Sequence, residues 1–297
     1  MAVVDEWVRY GDQLAYLALH QHAAAPLPGV VLIHDLIGLD EYAEDVARRI
    51  AAAGYAVLAP DLFAVDGARP PYLARDRVAE AMGFLSRQPA AALSDRAVRA
   101  SALAELPEPE RLRVDETISG IFAFGAPPML QSLLGPLRLA VRYLRDERPE
   151  TRGQRVASVG EGLSALLACA EPELSGAVVF YGITPPVESL RAIGCPVLAF
   201  YGARDTRINA GIAAFDEGMR AVGLPFEWHV YEGAGHGFFN DTKPAYYDVA
   251  ASRDAFARLL MFLLTTLTSP ASSTGAPAAT EVGDGGRVEA GPFVLPG

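Results

Sequence analysis

Cysteine is scarce in this chain. Only Cys169 and Cys195 occur in 297 residues, each in an apolar context, and their spacing suits no metal site. Basic residues are outnumbered, 25 Lys and Arg against 36 Asp and Glu, which leaves a formal charge of −11. That balance argues against nucleic acid or an anionic membrane as the main partner. Apolar runs are short, and none reaches the roughly 18–20 residues of a membrane span. The stretch Met1–Trp7 lacks a basic region followed by an apolar one, so no signal peptide is expected. No internal repeat is present. A reducing, cytoplasmic setting fits these absences.

What the chain does have is apolar residues, 51% of the total, enough for a substantial core. Leu14–Leu19 alternates and reads as an early edge strand. Val30–Ile33 is a continuous apolar run, the mark of a strand buried on both faces. Glu41–Ala53 has helical periodicity and ends at Gly54. Tyr55–Ala59 is the next strand, so strand, helix and strand imply a parallel pair with a right-handed crossover. From about residue 65 to 128 the pattern shows helical stretches, Ala74–Arg87 and Ser94–Leu106, but no strand. Leu130–Arg145 is predicted as one amphipathic helix. Beyond it come strands at Val156–Val159, Ala177–Tyr181, Val197–Tyr201 and Phe226–Tyr231. Between and after them lie helices at Leu163–Ala170, Asn209–Val222 and Tyr246–Leu267. The pattern predicts one α/β domain over residues 1–268, a doubly wound, mostly parallel sheet with helices on both faces. Residues 65–128 would form a helical cap insertion. Residues 269–297 are rich in Ser, Thr, Ala, Pro and Gly, a composition expected to remain disordered; a docking role for Phe293-Val294-Leu295 is the minor alternative.

Open α/β sheets build their sites at the carboxyl ends of the strands. Three stretches fall there. His34-Asp35-Leu36 follows the first buried strand. Gly160-Glu161-Gly162-Leu163-Ser164 links a strand to a helix, the setting in which an α/β-hydrolase fold presents its nucleophile in a G-x-S-x-G turn. Asp205 and His236 follow two adjacent predicted strands in the acid-then-histidine order of such sites. In that arrangement the carboxylate fixes the imidazole tautomer and stabilises its charged form. Taken singly, each of these residues is usually a turn, cap or structural residue; the pair in this order favours an active-site dyad. Asp35 either caps the helix region at Glu41 or lines the site. Ile118–Pro128, with Phe122 and Phe124, either lines a pocket or packs as a loop on the core, the second being preferred.

Val30–Gly38, Gly54–Phe63, Cys195–Asp205 and Gly233–Asn240 together resemble the dienelactone hydrolase family across roughly residues 5–268, apart from the central stretch. In that family a cysteine in a G-x-C-x-G turn attacks a lactone or ester. The resemblance matches His236 and Asp205 to the activating histidine and aspartate, and Asp35 to an acidic residue that interacts with the thiol. It matches Leu36 and Leu163 to the positions whose N–H groups form the oxyanion hole. Gly162 falls on the cysteine, where glycine supplies neither oxygen nor sulfur. Glu161 replaces the usual aromatic before the nucleophile, and Ser164 and Ala165 replace a glycine pair.

Loss of the nucleophile removes several powers of ten in rate from such a site. Ser158, Ser164 and Cys169 lie away from the apex of the turn and are poor substitutes. Three readings follow. The first is a degenerate homologue that binds a small molecule or a protein partner. The second is an enzyme using His236, held by Asp205, as a general base without covalent catalysis, with Glu161 as an added carboxylate. The third is ordinary ester or lactone hydrolysis through an unrecognised nucleophile. No cofactor or metal motif is present, and Gly160-x-Gly162 lacks the spacing of a phosphate-binding loop.

Overall fold

The computed structural model describes residues 3–268 apart from Ala23 and Ala90; the segment 269–297 lies outside the described residues. Eight strands form one sheet: β1 (Val3–Tyr10), β2 (Gln13–His20), β3 (Gly29–Leu32), β4 (Ala56–Pro60), β5 (Val156–Gly160), β6 (Gly176–Phe180), β7 (Val197–Gly202) and β8 (Phe226–Tyr231). Their spatial order is β1-β2-β4-β3-β5-β6-β7-β8. The first two are antiparallel, β2 runs antiparallel to β4, and every later pairing is parallel. Each residue of β3 to β7 is buried, as parallel strands covered on both faces must be.

Two apolar layers sit on opposite faces of the sheet. One packs α1 (Glu41–Ala51) and α11 (Val249–Thr268) through Val46, Ile50, Leu259 and Leu263. The other packs α7 (Leu134–Arg142), α8 (Gly162–Ala170) and α10 (Ile212–Val222) through Leu137, Leu167 and Phe215. The start of α1 is set by Asp40, whose Oδ1 accepts the Ala43 N–H at 2.9 Å. Gly54 follows its end at φ +101°, a backbone angle glycine adopts without a steric penalty.

Between β4 and the start of α7 come α2 (Arg75–Ser86), α3 (Ala91–Ser94), α4 (Arg96–Leu103), α5 (Glu110–Phe124) and α6 (Pro127–Ser132). Phe84, Leu85, Leu103, Val114 and Ile118 form a small core of their own there. The remaining helix, α9 (Thr206–Asn209), is a single turn after β7.

Four expectations need correction. Leu14–Leu19 is not an edge strand, because β1 lies outside it; β1 exposes Asp5 and Glu6 and buries only Tyr10, so its apolar signal is weak. Leu130–Arg145 is not one helix. Gly135-Pro136 follows Ser132, and proline has no N–H to continue the preceding turn, so α7 starts afresh and closes in a wide turn at Tyr143–Glu147. Ser94–Leu106 is divided at Asp95, whose carboxylate caps α4 by accepting the Ala97 N–H at 2.7 Å. Ile118–Pro128 is not a loop: most of it belongs to α5, which buries Ile118, Ile121 and Phe124.

Candidate active site

The loops after β3, β5, β6, β7 and β8 meet around a cleft of about 740 Å³, within the usual range for small-molecule sites. His34, Asp35, Leu36, Glu161, Gly162, Leu163 and His236 all line it. Asp205 stands behind His236: the ring Nδ1–H donates to Oδ2 at 2.7 Å. An ionised carboxylate only accepts, which fixes Nδ1 as the protonated nitrogen and leaves Nε2 as the basic one. The Asp205 side chain is 9% exposed and that of His236 is 49% exposed. The carboxylate is therefore sheltered while the imidazole reaches the cleft. The other oxygen of Asp205, Oδ1, takes the Ile208 N–H at 3.4 Å at the start of α9.

His34 plays a different part from His236. Its Nε2 accepts the Leu62 N–H at 3.1 Å, so Nδ1 carries the proton and donates to the Asp35 carbonyl at 2.7 Å. Burial lowers its pKa. It ties the loop after β3 to the loop after β4. Arg69 reinforces that junction, with Nε 2.6 Å from Asp61 Oδ2 and a second nitrogen donating to the Leu39 carbonyl at 2.7 Å.

The two alternatives for Asp35 resolve by geometry. Asp40 caps α1, whereas Asp35 lines the cleft and accepts the Ile37 N–H at 2.9 Å. Glu161 is the one residue between the end of β5 and the start of α8. It borders the cleft and also a neighbouring pocket of about 60 Å³. Burial, then the charge of Asp35, pushes its carboxyl up to about 8. Burial raises the Asp35 carboxyl as well, against the opposing charge of Lys243. That residue is the only lysine of the chain. Neighbouring carboxyls partly sheltered from water hold protons that exposed, isolated ones would lose.

Gly162 opens α8, and a side chain on it would force Ile183 to shift. A Cβ there would lie 2.8 Å from Ile183 Cγ1 and 3.2 Å from the Ile183 N. Gly162 also lacks a positive φ, unlike the strained apex of a nucleophile turn. Gly182 packs directly on the Glu161–Gly162 backbone. Neither the Leu36 nor the Leu163 N–H has an acceptor among the described residues. Ser158 and Ser164 are fully buried and hydrogen-bonded to each other at 2.7 Å. Burial pushes the Cys169 thiol up to about 11 and the Cys195 thiol up to about 12, which suppresses the reactive thiolates.

The sequence reading missed Tyr42, Tyr181, Ile183 and Lys243, which belong to the same surroundings. Tyr181 follows β6 at φ +38° and is buried. Its ring lies 5.0 Å from that of His236. A non-glycine residue held at positive φ beside a catalytic-type dyad is the kind of local strain found at working sites. Its position at a strand's carboxyl end was the one signal available in the sequence.

Comparison with known proteins extends this picture. The profile of the dienelactone hydrolase family matches residues 14–267. A protein of Saccharolobus solfataricus provisionally named a carboxymethylenebutenolidase is 26% identical over 250 residues, covering 84% of this chain and 92% of its own. A Bradyrhizobium protein provisionally named a 2-oxo-3-(5-oxofuran-2-ylidene)propanoate lactonase is 25% identical over 281 residues, covering 88% of this chain and 94% of its own. The crystal structure of a provisionally assigned dienelactone hydrolase from Klebsiella pneumoniae superposes with a TM-score of 0.63 at 22% identity, covering 88% of this chain and 98% of that one.

Proposed function

Because this chain belongs to the dienelactone hydrolase family, we propose that it takes a small lactone, ester or related carbonyl compound into the cleft and acts on it without an acyl-enzyme, with His236 as general base. Residue 162 is, on this reading, a lost nucleophile position. The observation that carries it is the coexistence of the 2.7 Å His236–Asp205 hydrogen bond with a turn whose apex is glycine, where a side chain would have to displace Ile183. A dyad so arranged abstracts a proton from water or from an acidic C–H group. The unpaired N–H groups of Leu36 and Leu163 would receive the negative charge that develops on the substrate oxygen.

A binding protein with no chemistry is the second reading, supported by the same missing nucleophile. One experiment separates the two. The protein is given a panel of small esters, butenolides and enolisable ketones in D2O, followed by proton NMR, alongside serine- and cysteine-directed covalent probes. Turnover or C–H exchange that His236→Ala abolishes supports base catalysis; ligand-induced shifts with neither support binding alone. A covalent adduct that forms and decays during turnover on any serine or cysteine would overturn both.

A further inference from the structure

The geometry points to Glu161 as the proton donor of this site: its carboxylic acid protonates the carbonyl oxygen of an enolisable lactone or ketone while His236 removes a proton from the adjacent carbon. This rests on the reading of His236 as a base. The residue stands alone between β5 and α8, where the chain turns into the cleft, and borders the same cleft as His236. Among the described residues its carboxyl has no hydrogen-bond or ion-pair partner, and the residue lies half-buried between the cleft and the small pocket. A sheltered polar group with no partner is costly to leave unsatisfied. The hydrogen-bonding capacity of Glu161 is left for whatever fills the cleft it lines.

The groups that face it explain its proton. Asp35 from the loop after β3 and Asp205 from the loop after β7 add negative charge, and Lys243 from the loop after β8 opposes them; Arg207 of α9 and His236 line the same cleft. Tyr181, after β6, is itself buried and stays neutral. Tyr42 of α1 behaves likewise, for the same reason. Glu161 is therefore a neutral donor at neutral pH, as His236 is held for accepting.

The step balances. The C–H bond breaks and its proton goes to His236 Nε2. The electron pair forms a C=C bond as the carbonyl π pair moves to oxygen, which takes the Glu161 proton. The product is an enol, with an imidazolium and a carboxylate left behind. Returning the protons to the same carbon gives exchange, and to a conjugated carbon gives double-bond isomerisation. No oxidant or reductant is needed.

The test uses α-angelica lactone, cyclopentanone and ethyl acetoacetate in D2O, with exchange followed by NMR in wild type, Glu161→Gln, Glu161→Asp and His236→Ala. Glutamine keeps the shape but has no proton to transfer, so the rate should fall about a hundredfold or more, with partial recovery in the aspartate variant. The wild-type rate should also decline as pH rises through about 8, and that limb should vanish in Glu161→Gln. Exchange lost in His236→Ala but kept in Glu161→Gln overturns this proposal and spares the base. Exchange absent from wild type on all three compounds overturns both. Independently, infrared spectra of protein carrying 13C-labelled glutamate should contain a carboxylic-acid band at pH 7 that Glu161→Gln removes; its absence also overturns the proposal.

Discussion

Ile183 holds the space that a side chain on Gly162 would need: the ideal Cβ position is 2.8 Å from Ile183 Cγ1. The glycine and the isoleucine are therefore coupled, and restoring a nucleophile is not a one-residue change. Gly162→Cys alone should stay inactive and lose stability by about 1–3 kcal/mol, the usual penalty of overpacking. Gly162→Cys with Ile183→Ala should show thiol-dependent hydrolysis of p-nitrophenyl acetate, blocked by iodoacetamide. An inactive double variant that remains folded means that the dyad is not placed to activate a thiol there.

Asp205→Asn should leave the fold intact and lower any His236-dependent rate by about two to four powers of ten, since the imidazole loses the group that fixes its tautomer. Nitrogen-15 NMR of the ring offers a check that needs no substrate. The wild-type Nδ1 should be the protonated nitrogen, and the variant should show a mixture of tautomers.

Glu161 makes stability depend on pH. Its folded-state pKa of about 8 lies above the value of about 4.3 for an unfolded chain. Below the unfolded value both states carry the proton and nothing is lost. As pH rises towards about 8 the unfolded chain sheds a proton that the folded one keeps, so this contribution disappears. Glu161→Gln should therefore gain about 4 kcal/mol over wild type between pH 5 and pH 9 in urea unfolding, about 1.4 kcal/mol per pH unit until the folded-state carboxyl itself titrates. Parallel stability curves for the two proteins would contradict this.

Arg69 and Asp61 form a buried pair, with side chains 9% and 3% exposed. Arg69→Ala strands a charge in the junction beneath the cleft and should cost about 3–5 kcal/mol, read from chemical denaturation. Asp61→Asn with Arg69→Met should recover part of that loss, because no unpaired charge then remains.

The parallel strands were legible because burial on both faces leaves continuous apolar runs such as Val30–Ile33 and Val197–Tyr201. β1 was not, because an edge strand with exposed Asp5 and Glu6 carries little of that signal. Among site residues, Asp205 and His236 stood out because they follow adjacent strands in acid-then-histidine order, and strand ends converge in this kind of sheet; Asp35 left two roles open until the fold showed Asp40 as the cap. Helix breaks at Ser132–Leu134 and at Asp95 were hidden inside amphipathic stretches, where periodicity persists across a cap or a proline.

Residue order alone decided that the sheet is mostly parallel, that its strand ends gather an acid and a histidine, and that residue 162 brings no nucleophilic atom. These follow from local chemistry: apolar run length, turn residues and the bare backbone of glycine. Only the tertiary structure decided that Ile183 closes the space beside Gly162, that Tyr181 leans on His236, and that Glu161 and Asp35 line one cleft with Lys243. Those contacts join loops that follow different strands, so the distances and the desolvation that set their chemistry exist only once the sheet has brought the loops together.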